Sequence, residues 1–109
     1  MRIKEQHMSQ PASPSDIVAV LRMLTDPTRW RIYVILRRGS ASVGVLATEL
    51  QVTEKLVSHH LQVMRRAGIV HAERDASDAR WVYYHLDVLM LATLHGALAH
   101  LFDPALASW

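Results

Sequence analysis

The chain has 109 residues, half of them hydrophobic but with only three Trp, three Tyr and one Phe, so one domain with a mostly aliphatic core is expected. It has no cysteine, which removes disulfides, thiolate metal sites and thiol redox sensing, and no stretch reaches the roughly 18 apolar residues of a membrane span. The net charge is only +2, but all twelve Lys and Arg stand at or before Arg80, and from Trp81 onward only Asp87 and Asp103 are formally charged.

In chain order, residues 1–14 are polar, carry Pro11 and Pro14, and have no apolar run behind the charges of the start. They read as a flexible arm on a cytoplasmic protein. A domain over 15–103 and a short tail over 104–109 follow. Ser15 is expected to cap a first helix, with Ile17, Val18, Val20, Leu21 and Leu24 at helical spacing. Asp26-Pro27 restarts the chain as a cap and a first helical position, Ile32, Ile35 and Leu36 form an apolar stripe, and Gly39 stops the second helix. Ser42 caps a short third helix, Val43 to Leu50, with Val43, Leu46, Ala47 and Leu50 inward. After Gln51-Val52, Thr53 caps a fourth from Glu54 to Ala67, closed by Gly68. The period then changes from 3.6 to 2. Two strands, Ile69 to Arg74 and Arg80 to Leu86, flank the loop Asp75-Ala76-Ser77-Asp78-Ala79, with Val82, Tyr84 and Leu86 on one face. Asp87 caps a last helix running to about Phe102, before Asp103-Pro104. Four helices, a hairpin and a helix, with a tight connection between the third and fourth, describe a winged helix-turn-helix of mainly α class (α-α-α-α-β-β-α).

With Val57, Leu61 and Met64 inward at i, i+4 and i+7, Lys55, Ser58, His59 and Gln62 fall together on the opposite face of the fourth helix. Such a stripe suits the major groove, where Gln pairs with adenine and Ser and His meet base edges. Arg65 and Arg66, a turn later, are placed for phosphates. Set against this is the plain solvated helix face. His60 beside Leu61 reads as a packed structural histidine rather than a base reader. The last helix is apolar almost all round, through Val88, Leu89, Met90, Leu91, Leu94, Leu98, Leu101 and Phe102. Burying every side calls for a second chain, and the absence of Lys or Arg argues against a membrane-surface helix.

Several stretches resemble the arsenical-resistance-repressor (ArsR/SmtB) family. These are Leu24-Thr25-Asp26-Pro27-Thr28-Arg29-Trp30-Arg31-Ile32, Ser42 to Ala47, Val57-Ser58-His59-His60-Leu61-Gln62-Val63-Met64-Arg65-Arg66-Ala67-Gly68-Ile69-Val70, and Val82-Tyr83-Tyr84-His85-Leu86. The resemblance spans about residues 17 to 102. It implies a homodimer through the first and last helices, a fourth helix in the major groove of double-stranded DNA, a hairpin acting as a wing, and a repressor released by an inducer. The inducer itself is unknown.

The chain departs from the family in two places. The wing loop carries Asp75 and Asp78, a poor match to phosphate, so DNA contact from the wing falls to the flanking Arg74 and Arg80. Family members that bind soft metals or arsenicals carry cysteines at the start of the third helix, where Ser42-Val43-Gly44 stands here. Zinc-type members use the last helix, and the matching positions hold Asp87, His100 and Asp103, with Leu89 in place of the first His. The resemblance therefore leaves a divalent metal such as zinc or nickel, held by these three residues across the dimer. Asp87 and His100 stand about 20 Å apart on one straight helix, so one chain cannot clamp an ion with both. An enzyme is not expected, since no phosphate-binding loop, His-Glu-x-x-His pattern or thiol is present. The rival to a DNA-binding regulator is a winged-helix module for protein pairing without specific DNA readout. A polar stripe on the fourth helix favours DNA.

Overall fold

The computed structural model describes residues 14–106. The arm read over residues 1–14 lies outside them apart from Pro14, as does the end of the tail. The elements follow in the expected order: α1 (Pro14–Leu24), α2 (Pro27–Leu36), α3 (Val43–Leu50), α4 (Glu54–Arg66), β1 (Val70–Arg74), β2 (Val82–Leu86) and α5 (Val88–Leu101), then a 3-10 turn over Pro104–Leu106.

Four helix starts are each built by one short polar side chain accepting from amides two or three residues on. Asp26 accepts from Thr28 and Arg29 at 2.9 and 3.1 Å, Ser42 from Val45 at 3.3 Å, Thr53 from Leu56 at 3.1 Å, and Asp87 from Met90 at 2.8 Å. The start of α1 differs from expectation: the helix begins at Pro14, so Ser15 lies inside the first turn rather than ahead of it. Between α3 and α4, Gln51 takes the left-handed conformation at φ 58°, and its amide bonds back to Ala47 and Thr48. That residue sets the angle of the helix-turn-helix. Gly68, at φ 84°, turns the chain from α4 into β1, and a Cβ there would stand 3.0 Å from the Met90 methyl of α5.

The core takes Ile17, Val20 and Met23 from α1, Ile32 and Leu36 from α2, Leu46, Ala47 and Leu50 from α3, and Val57, Leu61 and Met64 from α4. Ile69 and Val70 close it, and Leu94 joins from α5. Val18 and Leu21, also at helical spacing on α1, are half-exposed, because the buried stripe of α1 is only one residue wide per turn.

The hairpin is antiparallel, registered from Val70 opposite Leu86 to Arg74 opposite Val82. Its second strand starts later than expected. Asp78 accepts from the Arg80 amide, and the Trp81 amide donates to the Asp78 carbonyl, so Arg80 and Trp81 belong to the turn. One pairing was not foreseen: Ala41 and Tyr84 exchange both backbone hydrogen bonds, at 3.0 and 2.8 Å. This bridge fastens β2 to the segment leading into α3 and so seats the hairpin beside the helix-turn-helix.

Candidate nucleic-acid interface

The inward face of α4 is Val57, His60, Leu61 and Met64. Lys55, Ser58, His59 and Gln62 are all exposed on the other side, as are Arg65 and Arg66 a turn later. Among the described residues, none of Lys55, Arg65 and Arg66 takes part in an ion pair. Among the described residues the cationic groups on this surface are thus unneutralised, beside hydroxyl, amide and imidazole groups able to reach base edges. Arg38, just past the end of α2, differs, since it pairs with Glu49 at 3.3 Å.

His60 sits at the core boundary, 7% exposed, as expected of a packed histidine. Its partner was missed by sequence reasoning. Arg29 Nη1 lies 3.1 Å from His60 Nδ1, while Arg29 Nε donates to the Met23 carbonyl at 2.7 Å. Burial, more than any other influence, pushes the His60 pKa below its ordinary value; Arg29 and His59 add to that and Asp26 opposes it. Asp26 in turn is held below the usual carboxylate range, first by the Arg29 amide it caps.

The two wing arginines are exposed but unequal. Arg80 makes a two-pronged ion pair with Asp78, Nε at 3.0 Å and Nη2 at 2.8 Å, which lowers the Asp78 pKa and raises that of Arg80. Arg74 donates to the Ala79 carbonyl and keeps its charge. Asp75 is turned inward on the loop, accepting from the Ser77 amide and hydroxyl. Both loop carboxylates therefore shape the turn.

The proposed metal residues have other employment within the chain. Asp87 Oδ1 caps α5 while Oδ2 lies 2.6 Å from His71 Nε2 on β1. Burial pulls the Asp87 carboxyl upward, but the Met90 amide and His71 outweigh it and hold it below the usual value. Asp103 accepts from the Ala105 amide, and His100 is exposed near the end of α5. Among the described residues, no three His, Asp or Glu side chains gather as metal ligands. His71 was not singled out from sequence: the register sets it opposite His85, and Asp87, two residues further along that chain, is its diagonal neighbour. At the start of α3, Ser42 is a buried helix cap.

Comparison with known proteins puts these features in company. The family described as bacterial regulatory protein, arsR family, matches residues 26–72, from the Asp26 cap to β1. The biofilm growth-associated repressor of Agrobacterium fabrum is 32% identical over 88 residues, covering 81% of this chain and 73% of that protein. The HTH-type transcriptional repressor SmtB of Mycobacterium tuberculosis is 34% identical over 89 residues, covering 80% and 63%. Among solved structures, an ArsR-like transcriptional regulator from Rhodococcus sp. RHA1 superposes with a TM-score of 0.70 at 26% identity, covering 80% of this chain and 79% of that one.

Proposed function

The chain belongs to the arsR family of bacterial regulatory proteins and is a DNA-binding transcriptional repressor, and from that premise we propose that it acts as a homodimer whose α4 helices read one operator in the major groove. The observation that carries the reading is the division of α4 into a buried face and an opposite stripe of Lys55, Ser58, His59 and Gln62. Gln62 and Ser58 read bases, His59 and Lys55 border them, and Arg65 and Arg66 hold the phosphate backbone. Arg74 adds a charge from the wing.

The dimer reading is supported by apolar surface that one chain leaves open. Val88, Leu89, Leu101 and Phe102 on α5 are 77%, 61%, 50% and 76% exposed, and Val18 and Leu21 face outward on α1, which packs on α5. Apolar surface on two adjoining helices is what a symmetric pair of chains buries. No described helix is long and apolar enough to cross a membrane. A repressor of this kind works in the cytoplasm and is not an enzyme.

Release by an inducer belongs to the same proposal, with the inducer unassigned. The metal form of it, zinc or nickel between Asp87 of one chain and His100 and Asp103 of the other, fits this chain poorly. Both Asp87 oxygens already have partners, and Leu89 removes an imidazole from a donor set that would hold three ligands where closed zinc sites have about four. Calorimetric titration of zinc or nickel, with His100→Ala beside it, decides this: no heat, or heat unchanged in the variant, removes the site.

The DNA reading is tested by selecting duplexes with the protein from a randomised pool. Enrichment of a two-fold-related sequence is the expected outcome. A pool that stays random, from protein that is folded and dimeric, would turn the assignment toward a protein-pairing module.

A further inference from the structure

One side-chain bridge joins the helix that supports the proposed dimer to the helix that reads DNA. Arg29 stands in the first turn of α2, its amide bound to the Asp26 cap. Its guanidinium reaches two other elements, the Met23 carbonyl in α1 at 2.7 Å and His60 Nδ1 in the middle of α4 at 3.1 Å. Aliphatic contacts between helices tolerate sliding and rotation, whereas a planar guanidinium fork fixes direction as well as distance. His60 adjoins His59 in sequence and lies two residues from Ser58 and Gln62, so turning His60 out of place turns the reading stripe with it.

We propose that Arg29 is a positioning residue for DNA reading: through a neutral His60 it sets the rotation of α4 against α1 and α2, and protonation of His60 releases that setting. This rests on the DNA-reading role of α4. Arg29 offers only donors, so its bond to His60 exists only while Nδ1 is free to accept. An imidazolium would place a second cation against the guanidinium at a site that water screens poorly. The charged and titratable groups facing His60 are Asp26 and Arg29 from α2 and His59 from its own helix. Asp26 is the one anion among them, and its Oδ1 is already turned to the Thr28 and Arg29 amides. Burial keeps His60 neutral through the neutral range, and the bond is lost as pH falls below the lowered pKa. Acid therefore weakens specific binding by this route.

The probe is a duplex selected by the wild-type protein from the randomised pool at about pH 7.5, compared with a scrambled duplex of the same composition. Between about pH 7.5 and about pH 4.5, with folding checked at each pH, wild-type affinity for the selected duplex should fall about fivefold or more relative to the scrambled one. His60→Asn carries an acceptor near the place of Nδ1 and has no proton to gain, so its ratio should stay within about threefold over the same range. Arg29→Met keeps the stem and loses the fork; it should cut the ratio about tenfold at neutral pH with no change in salt slope. A slope lower by about one would make Arg29 a phosphate contact and overturn the proposal. A pH loss that survives in His60→Asn would overturn it as well. Nitrogen-15 NMR of the free protein supplies a test without DNA, in which the neutral His60 ring should carry its proton on Nε2. A proton on Nδ1 would refute the bridge, whereas failure of the selection itself would strike the DNA reading instead.

Discussion

Along α4, Val57, His60, Leu61 and Met64 are buried and a polar stripe occupies the opposite side; along α5 the chain is apolar on nearly every side, yet Leu94 is the one buried residue. Helix α4 buries most of its apolar side chains within its own chain, and apart from Leu56 what it leaves outside is mainly polar. Helix α5 leaves Val88, Leu89, Leu101 and Phe102 in solvent. The difference teaches that amphipathic periodicity reports packing against the chain's own core, while its absence in an apolar helix reports packing against something else. It also separates two kinds of residue: those whose loss damages the fold at any concentration, and those whose loss matters only where two chains meet.

The sharpest way to break this comparison is at the α4 core. Leu61→Ala should cost about 2–5 kcal/mol of folding stability, because Leu61 is 1% exposed and its removal leaves a cavity. Chemical denaturation should show that loss on any α4 reading. A cost below about 1 kcal/mol would mean the inward face is wrongly placed.

On α5 the matching change is Leu89→Glu, at a position 61% exposed in the single chain. Placing a charge there forfeits about 1.5–3 kcal/mol of apolar burial per side chain, so dimer dissociation should rise by about tenfold or more. Sedimentation equilibrium at micromolar concentration reads this directly. Unchanged association would remove α5 from the interface.

The outer stripe of α4 is sharpened by two substitutions of different kinds. Gln62→Ala should cost about 1–3 kcal/mol on the selected duplex and little on a scrambled one. Arg65→Ala should weaken both alike and lower the salt slope by about one. Equal losses on both duplexes for Gln62 would deny it a reading role.

The smallest effect is expected in the wing. Arg80 is already neutralised by Asp78, so Arg80→Ala should leave the salt slope within about 0.3 of wild type, unlike Arg65→Ala. A drop as large as that of Arg65 would show that Asp78 yields Arg80 to phosphate when DNA binds.

Much of the architecture was legible because the interactions that define it are short in sequence. Asp26, Ser42, Thr53 and Asp87 cap their helices through amides two or three residues away, and Val57, Leu61 and Met64 declare a face by spacing alone. The exposed stripe of α4 followed as its complement. The outward turn of Val18 and Leu21 was not legible, because a run rich in apolar residues does not say which of them one chain can cover.

By itself, then, the sequence determined the order of elements, four of the five helix starts, the exposed polar stripe of α4 and the apolar excess of α5. Each of these rests on hydrogen bonds or periodicities confined to a few turns. Tertiary structure alone decided the Ala41 bridge to Tyr84, the His71 contact with Asp87, and the reach of Arg29 to His60 across 31 residues of chain. In each of these pairs the partners are polar groups that many other residues would satisfy equally well in an unfolded chain. Which partner is met depends on how the helices and strands have already packed, and that packing is set by aliphatic contacts that carry no sequence address of their own.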